Sequence, residues 1–132
     1  MKSKAVLIAL VLTSGVANAG CWTVGELRGV AALKGDAYKI GPDGFGKFAP
    51  SAYMVSTNGS GSVTNHGDFR CTKMTASAVM CVGGDAGKVT LEVWSVDEET
   101  GTVIFTRARS GWGDFDGSAV FVGKVTGQCN IK

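Results

Sequence analysis

From Lys88 to Val96 the chain alternates with a period of two. Val89, Leu91 and Val93 are apolar, while Lys88, Thr90 and Glu92 are polar. This is the pattern of a strand with one buried and one wet face. Trp94 shares the parity of Thr90 and Glu92 and so falls on the wet side. There it hints at a contact surface, unless a bulge or a second core layer takes it in. Asp97-Glu98-Glu99-Thr100-Gly101 reads as a charged hairpin loop, and Thr102–Arg109 as the returning strand. Ser118–Thr126 is the last strand, with Val120, Val122 and Lys124 on one face.

Upstream, Ala52–Thr57 is a strand ended by Asn58-Gly59, a pair suited to a tight hairpin. Ser62–Asn65 would pair back across it. Phe69–Met74 and Ala78–Val82 form a second hairpin around Thr75-Ala76-Ser77, and Gly83–Gly87 closes it off. Ala37–Ile40 is a short strand candidate before the turn Gly41-Pro42-Asp43-Gly44, whose loop runs on through Phe45 and Lys47. One helix is expected, over 24–34. Thr23 and Glu26 have capping-box spacing, and Val24, Leu27, Val30 and Ala31 follow at helical intervals until Gly35. Gly25 and Gly29 weaken that helix by about 1 kcal/mol each. The fold class is therefore mainly β: a small antiparallel barrel or sandwich with one short N-terminal helix.

Composition narrows this further. The chain has 132 residues, of which 45% are hydrophobic and 18% charged, so it is globular and forms one domain. Residues 1–19 read as a bacterial secretory signal peptide. Lys2 and Lys4 supply the positive end, Ala5–Leu12 the apolar stretch, and Ala17-Asn18-Ala19 the cleavage site. The stretch is shorter than the span of about 20 residues a membrane helix needs, and no later segment approaches that length. The expected mature domain is 20–132, in the periplasm. Without Lys2 and Lys4 the 13 basic side chains fall to 11, equal to the 11 acidic ones. A neutral domain has no surplus of charge for nucleic acid or for an anionic membrane surface. The sequence leaves a homodimer open.

Four cysteines, Cys21, Cys71, Cys81 and Cys129, lie in the exported part, where disulfides are expected. Hairpin register sets Cys71 opposite Cys81, and Cys21–Cys129 would then tie the chain ends together. Ala19-Gly20-Cys21 also ends like a lipobox. However, Asn18 stands where that motif wants Leu, Val or Ile, and lipidation would leave three cysteines. A zinc site lacks both a Cys-x-x-Cys pair and a second histidine.

His66 is the one histidine. With Asp68 it could orient for hydrolysis, but Asn65-His66-Gly67-Asp68 reads as a polar surface turn. Asp114 and Asp116 could form a carboxylate pair or part of a calcium loop, although the third acid and closing Glu of that loop are absent. The wider segment from Arg107 to Gly117 is richer. It carries Arg107, Arg109, Ser110, Trp112, Asp114, Phe115 and Asp116 among glycines, between two strands. Trp and Arg are hot-spot residues of protein interfaces, and glycines let a loop project its rings. The bland alternative has Trp112 and Phe115 folding back to cap the barrel.

In layout the chain resembles the small periplasmic inhibitor proteins of Gram-negative bacteria, the lysozyme inhibitors and the immunity proteins against type VI secretion effectors. A c-type lysozyme inhibitor carries a Ser-Gly-x-x-Tyr loop. Here Ser110-Gly111-Trp112-Gly113 is followed by Asp114, and Phe115 comes one place later. The resemblance implies a non-catalytic protein that blocks a peptidoglycan hydrolase by loop insertion and needs no cofactor. Trp112, Asp114, Phe115 and Asp116 would enter the cleft, with Arg107 and Arg109 as flanking anchors. The competing expectation is an envelope component that acts by strand addition.

Overall fold

The computed structural model describes residues 20–44 and 50–129. The expected leader over 1–19 and the loop through Phe45 and Lys47 lie outside the described residues. The strands are β1 (Cys21–Leu33), β2 (Ile40–Gly44), β3 (Ala52–Ser56), β4 (Ser62–Val63), β5 (Arg70–Thr75), β6 (Ala78–Gly83), β7 (Val89–Asp97), β8 (Thr102–Ser110) and β9 (Gly117–Gln128). All pairings are antiparallel, in the order β4-β3-β1-β9-β8-β7-β6-β5, with β2 on the far half of β1. The ends of that path approach each other: the Lys73 amide donates to the Ser60 carbonyl at 2.6 Å. Gly61 sits at this seam with φ +89°, where a Cβ would stand 2.5 Å from the Lys73 nitrogen. Only glycine meets both demands. The result is a nearly closed barrel of eight strands, a size whose interior side chains can fill. No helix among the described residues is long and apolar enough to cross a membrane.

The helix expected over 24–34 is instead strand β1. Its first half pairs with β3 and its second with β2, and β9 runs along the other edge. Between Gly25 and Arg28 the register with β9 shifts, and Glu26 takes φ +54°. This bulge resets the alternation, so that Val24 and Leu27, three apart, both pack on the core. A strand broken by a bulge thus imitates helical spacing. Glu26, the expected capping partner, instead pairs with Lys124 at 3.0 Å on the surface. The expected strand at 37–40 is corrected too. Ala37 and Tyr38 are left-handed, with φ of 53° and 58°. The strand begins at Ile40 and runs through the segment expected to turn, Gly41 to Gly44. Pro42 is tolerated because β2 pairs with β1 alone, at the edge.

Both disulfides pair as expected. Cys71 lies directly opposite Cys81, and Cys21 joins Cys129 across 108 residues. The hairpin turn is shorter than expected: Thr75 pairs with Ala78 across a bulge. Two such bridges fit folding in an oxidising, exported environment.

The larger correction concerns the sides of β7. Thr90, Glu92, Trp94 and Val96 point inward, and Trp94 is 0% exposed. Val89, Leu91 and Val93 point outward. The cross-strand register puts Trp94, Phe105 and Phe121 in one row. Their rings stack at centroid distances of 4.1 and 5.4 Å, and Tyr53 lies 5.1 Å from Trp94. A small barrel needs large rings to fill it, and these rings fix which face of each strand is buried. Trp22 is a further buried ring, and its indole N–H donates to Glu98 Oε1 at 2.8 Å. Glu98 of the charged hairpin loop therefore has a partner within the chain.

Candidate functional site

The segment joining β8 to β9 is compact and projects its rings. Trp112 is 38% exposed and Phe115 is 60% exposed, so neither caps the barrel interior. Gly111, with φ +84°, lets the chain pass where a Cβ would meet the Gly87 carbonyl at 1.8 Å. The Trp112 indole N–H donates to the Val89 carbonyl at 3.1 Å, and its backbone N–H donates to Asp116 Oδ1 at 2.6 Å. The Lys34 amide donates to the Asp116 carbonyl at 2.8 Å, which ties the tip to the 3-10 turn Lys34–Asp36. Lys88 Nζ lies 5.2 Å from the centre of the Trp112 ring, a cation–π contact. A second 3-10 turn, Gly113–Phe115, shapes the tip itself.

The predicted site residues divide into two groups. Ser110, Trp112, Asp114 and Phe115 are exposed on the tip. Asp116 is half-buried and works as a bracket within the loop. Arg107 and Arg109 instead share the inward parity of Phe105. Arg107 donates to Asp43 Oδ2 at 3.3 Å and lies 5.5 Å from the Phe121 ring centre. Burial lowers its pKa, with Arg109 acting in the same direction, and Asp43, Glu92 and Tyr53 oppose the shift. Its charge is thus already engaged inside the barrel.

An interior cluster went unseen in the sequence. His66 Nε2 pairs with Glu92 Oε2, and the Trp94 indole N–H donates to the same oxygen at 3.4 Å. The imidazole stacks on Phe69 with centroids 4.2 Å apart and meets Tyr53 and Trp94 edge-on. Glu92 is 3% exposed. A buried carboxylate needs such partners; Trp94 is two residues along the same strand, and His66 comes from 26 residues upstream. Asp68, the expected orienter of His66, does not have that role. Burial, followed by the Glu92 charge, raises the Tyr53 pKa, and Arg107 opposes the shift. Such a pair has acid–base chemistry in principle, but three aromatic rings enclose it. Among the described residues no three His, Cys, Asp or Glu side chains gather into a set that could hold a metal ion.

The outer wall is unusually apolar. Rows Val30–Val120–Thr106–Val93 and Ala32–Ser118–Ala108–Leu91 run across β1, β9, β8 and β7. They line a groove of about 380 Å³ with Ile40 on its rim. Val89, on the same outward parity, carries the wall to the carbonyl that holds Trp112. No protein-family model, curated protein or solved structure matches this chain.

Proposed function

We propose that this is an exported, periplasmic binding protein that inhibits a peptidoglycan hydrolase by inserting its β8–β9 loop, in the manner of an immunity protein against a secreted effector. The observation that carries the proposal is the braced display of Trp112 and Phe115. Two large rings stand in water on a tip held by hydrogen bonds to Val89, Asp116 and Lys34. Exposing such rings has a solvation cost and serves a partner, and a tip already ordered loses little entropy on binding. Asp114 adds a charge at the tip for pairing with the rim of the enzyme. The recognition set is narrower than the sequence expectation, because Arg107 is engaged with Asp43. Strand addition is less favoured, since the hydrogen bond between Lys73 and Ser60 draws β4 and β5 together and leaves the short, proline-bearing β2 as the edge.

The test is inhibition and capture across a panel of peptidoglycan-cleaving glycosidases and amidases, with oxidised wild type and Trp112→Ala compared. Wild type should retain and inhibit at least one class. Trp112→Ala should lose about 2 kcal/mol or more of binding, roughly thirtyfold in affinity, with its circular dichroism unchanged. A loss under about 0.5 kcal/mol with an intact fold removes the loop from the account.

A further inference from the structure

We infer that the outer wall of β1, β9, β8 and β7 is an interface between two copies of this chain. Seven of the large apolar side chains exposed among the described residues lie on this one side: Val30, Ile40, Leu91, Ile104, Val120 and Val122, with Val89 at the upper border. Together they expose on the order of 600 Å², the upper end for a monomer's largest patch and close to one side of a standard interface.

Charge and shape select a second copy as the occupant. The rows hold a single charged residue, Arg28, at one corner opposite Val122. Arg107 also lines the groove, with its guanidinium paired to Asp43, and the remaining charges sit at the borders, with Lys124 paired to Glu26 below and Lys88 above. A face whose one central charged residue is already paired within the chain offers little for a charged partner to recognise, and it does not repel its own copy. With the leader removed, the formal charges of the chain also cancel, 11 against 11. The same face carries both a knob and a hole. Ile40 is 79% exposed on the rim, and the small Ala32, Ala108 and Ser118 leave the groove open. A two-fold axis through the groove would place each Ile40 against the partner copy's groove, the reciprocity a closed dimer requires. Paired sheet faces pack about 10 Å apart through such aliphatic rows. A small apolar ligand in this groove would remain half in water, whereas a second sheet face covers it.

Analytical ultracentrifugation of the protein, expressed with its leader and purified oxidised, tests this over about 1 to 100 μM. Wild type should pass from monomer to dimer in that range. Val120→Lys, at the centre of the face, should weaken the dimer at least tenfold with unchanged circular dichroism. Ile40→Asp, on the rim and clear of the core, should do the same if Val120→Lys perturbs the fold. Met74→Lys, an exposed apolar position on β5, should leave the dimer intact. A wild type that stays monomeric overturns the inference, even if the face then takes up an apolar dye or binds vesicles, since those outcomes indicate a different occupant. A dimer indifferent to both face substitutions overturns it equally.

Discussion

Along β7 the inward side chains are Thr90, Glu92, Trp94 and Val96, and the outward ones are Val89, Leu91, Val93 and Ser95. On β9 the inward set is Ala119, Phe121 and Gly123, against Ser118, Val120 and Val122 outside. The interior therefore takes the rings and the buried His66–Glu92 pair, while the exterior takes the aliphatics. Hydrophobicity alone does not distinguish these faces; volume and satisfaction of polar groups do. The interior of an eight-strand barrel is narrow, and three stacked rings in one register row fill it where valines would leave voids. Glu92 can accompany them because His66 and Trp94 satisfy its carboxylate. The exterior has no such filling requirement, so its aliphatics are free to serve contact.

Breaking the inner face should have the largest effect. Trp94→Ala deletes one end of the three-ring stack and one donor to Glu92, and should cost about 3–5 kcal/mol of unfolding free energy in urea denaturation. A loss under about 1 kcal/mol would mean that the stack does not hold the barrel.

A smaller effect sharpens the comparison through pH. Burial and the nearby Glu92 charge both disfavour the Tyr53 phenolate, so its folded pKa lies above the ordinary tyrosine value of about 10. The folded state binds that proton more tightly than the unfolded state does. The contribution is therefore fully present below pH of about 10 and is lost as pH rises through the folded pKa. In Tyr38→Phe protein, tyrosinate absorbance should report Tyr53 alone, since the chain has two tyrosines. It should ionise above about pH 10, together with loss of the far-UV signal. Ionisation near 10 with the fold retained would place Tyr53 in water.

Much of the architecture was legible because it depends on local signals. The strands at 89–97, 102–110 and 117–128 follow from short apolar runs between turns, and opposition of Cys71 to Cys81 follows from hairpin register. That a connecting segment lies between these two strands was legible for the same reason, although its expected bounds of 107–117 shrink to 111–116, because β8 runs on to Ser110 and β9 begins at Gly117. Three things were not. The bulge at Glu26 converts a strand's period into the spacing of a helix, and no residue type announces it. Pro42 reads as a turn unless one knows that β2 is an edge strand. The sides of β7 were inverted because both faces carry apolar residues, and the polar vote of Glu92 is cancelled by His66, a distant partner that periodicity cannot see. The same blindness put Arg107 at the loop, when its partner Asp43 lies 64 residues away.

The contrast between faces is tested most directly at Leu91. If the simple alternation of β7 held, Leu91 would be core, and Leu91→Asn would cost about 2–5 kcal/mol. In the barrel it faces outward, and the substitution should change the unfolding free energy by no more than about 0.5 kcal/mol. Urea denaturation in a Val120→Lys background removes any contribution from self-association. A midpoint that stays in place supports rings inside and aliphatics outside. A loss of about 2 kcal/mol or more contradicts it.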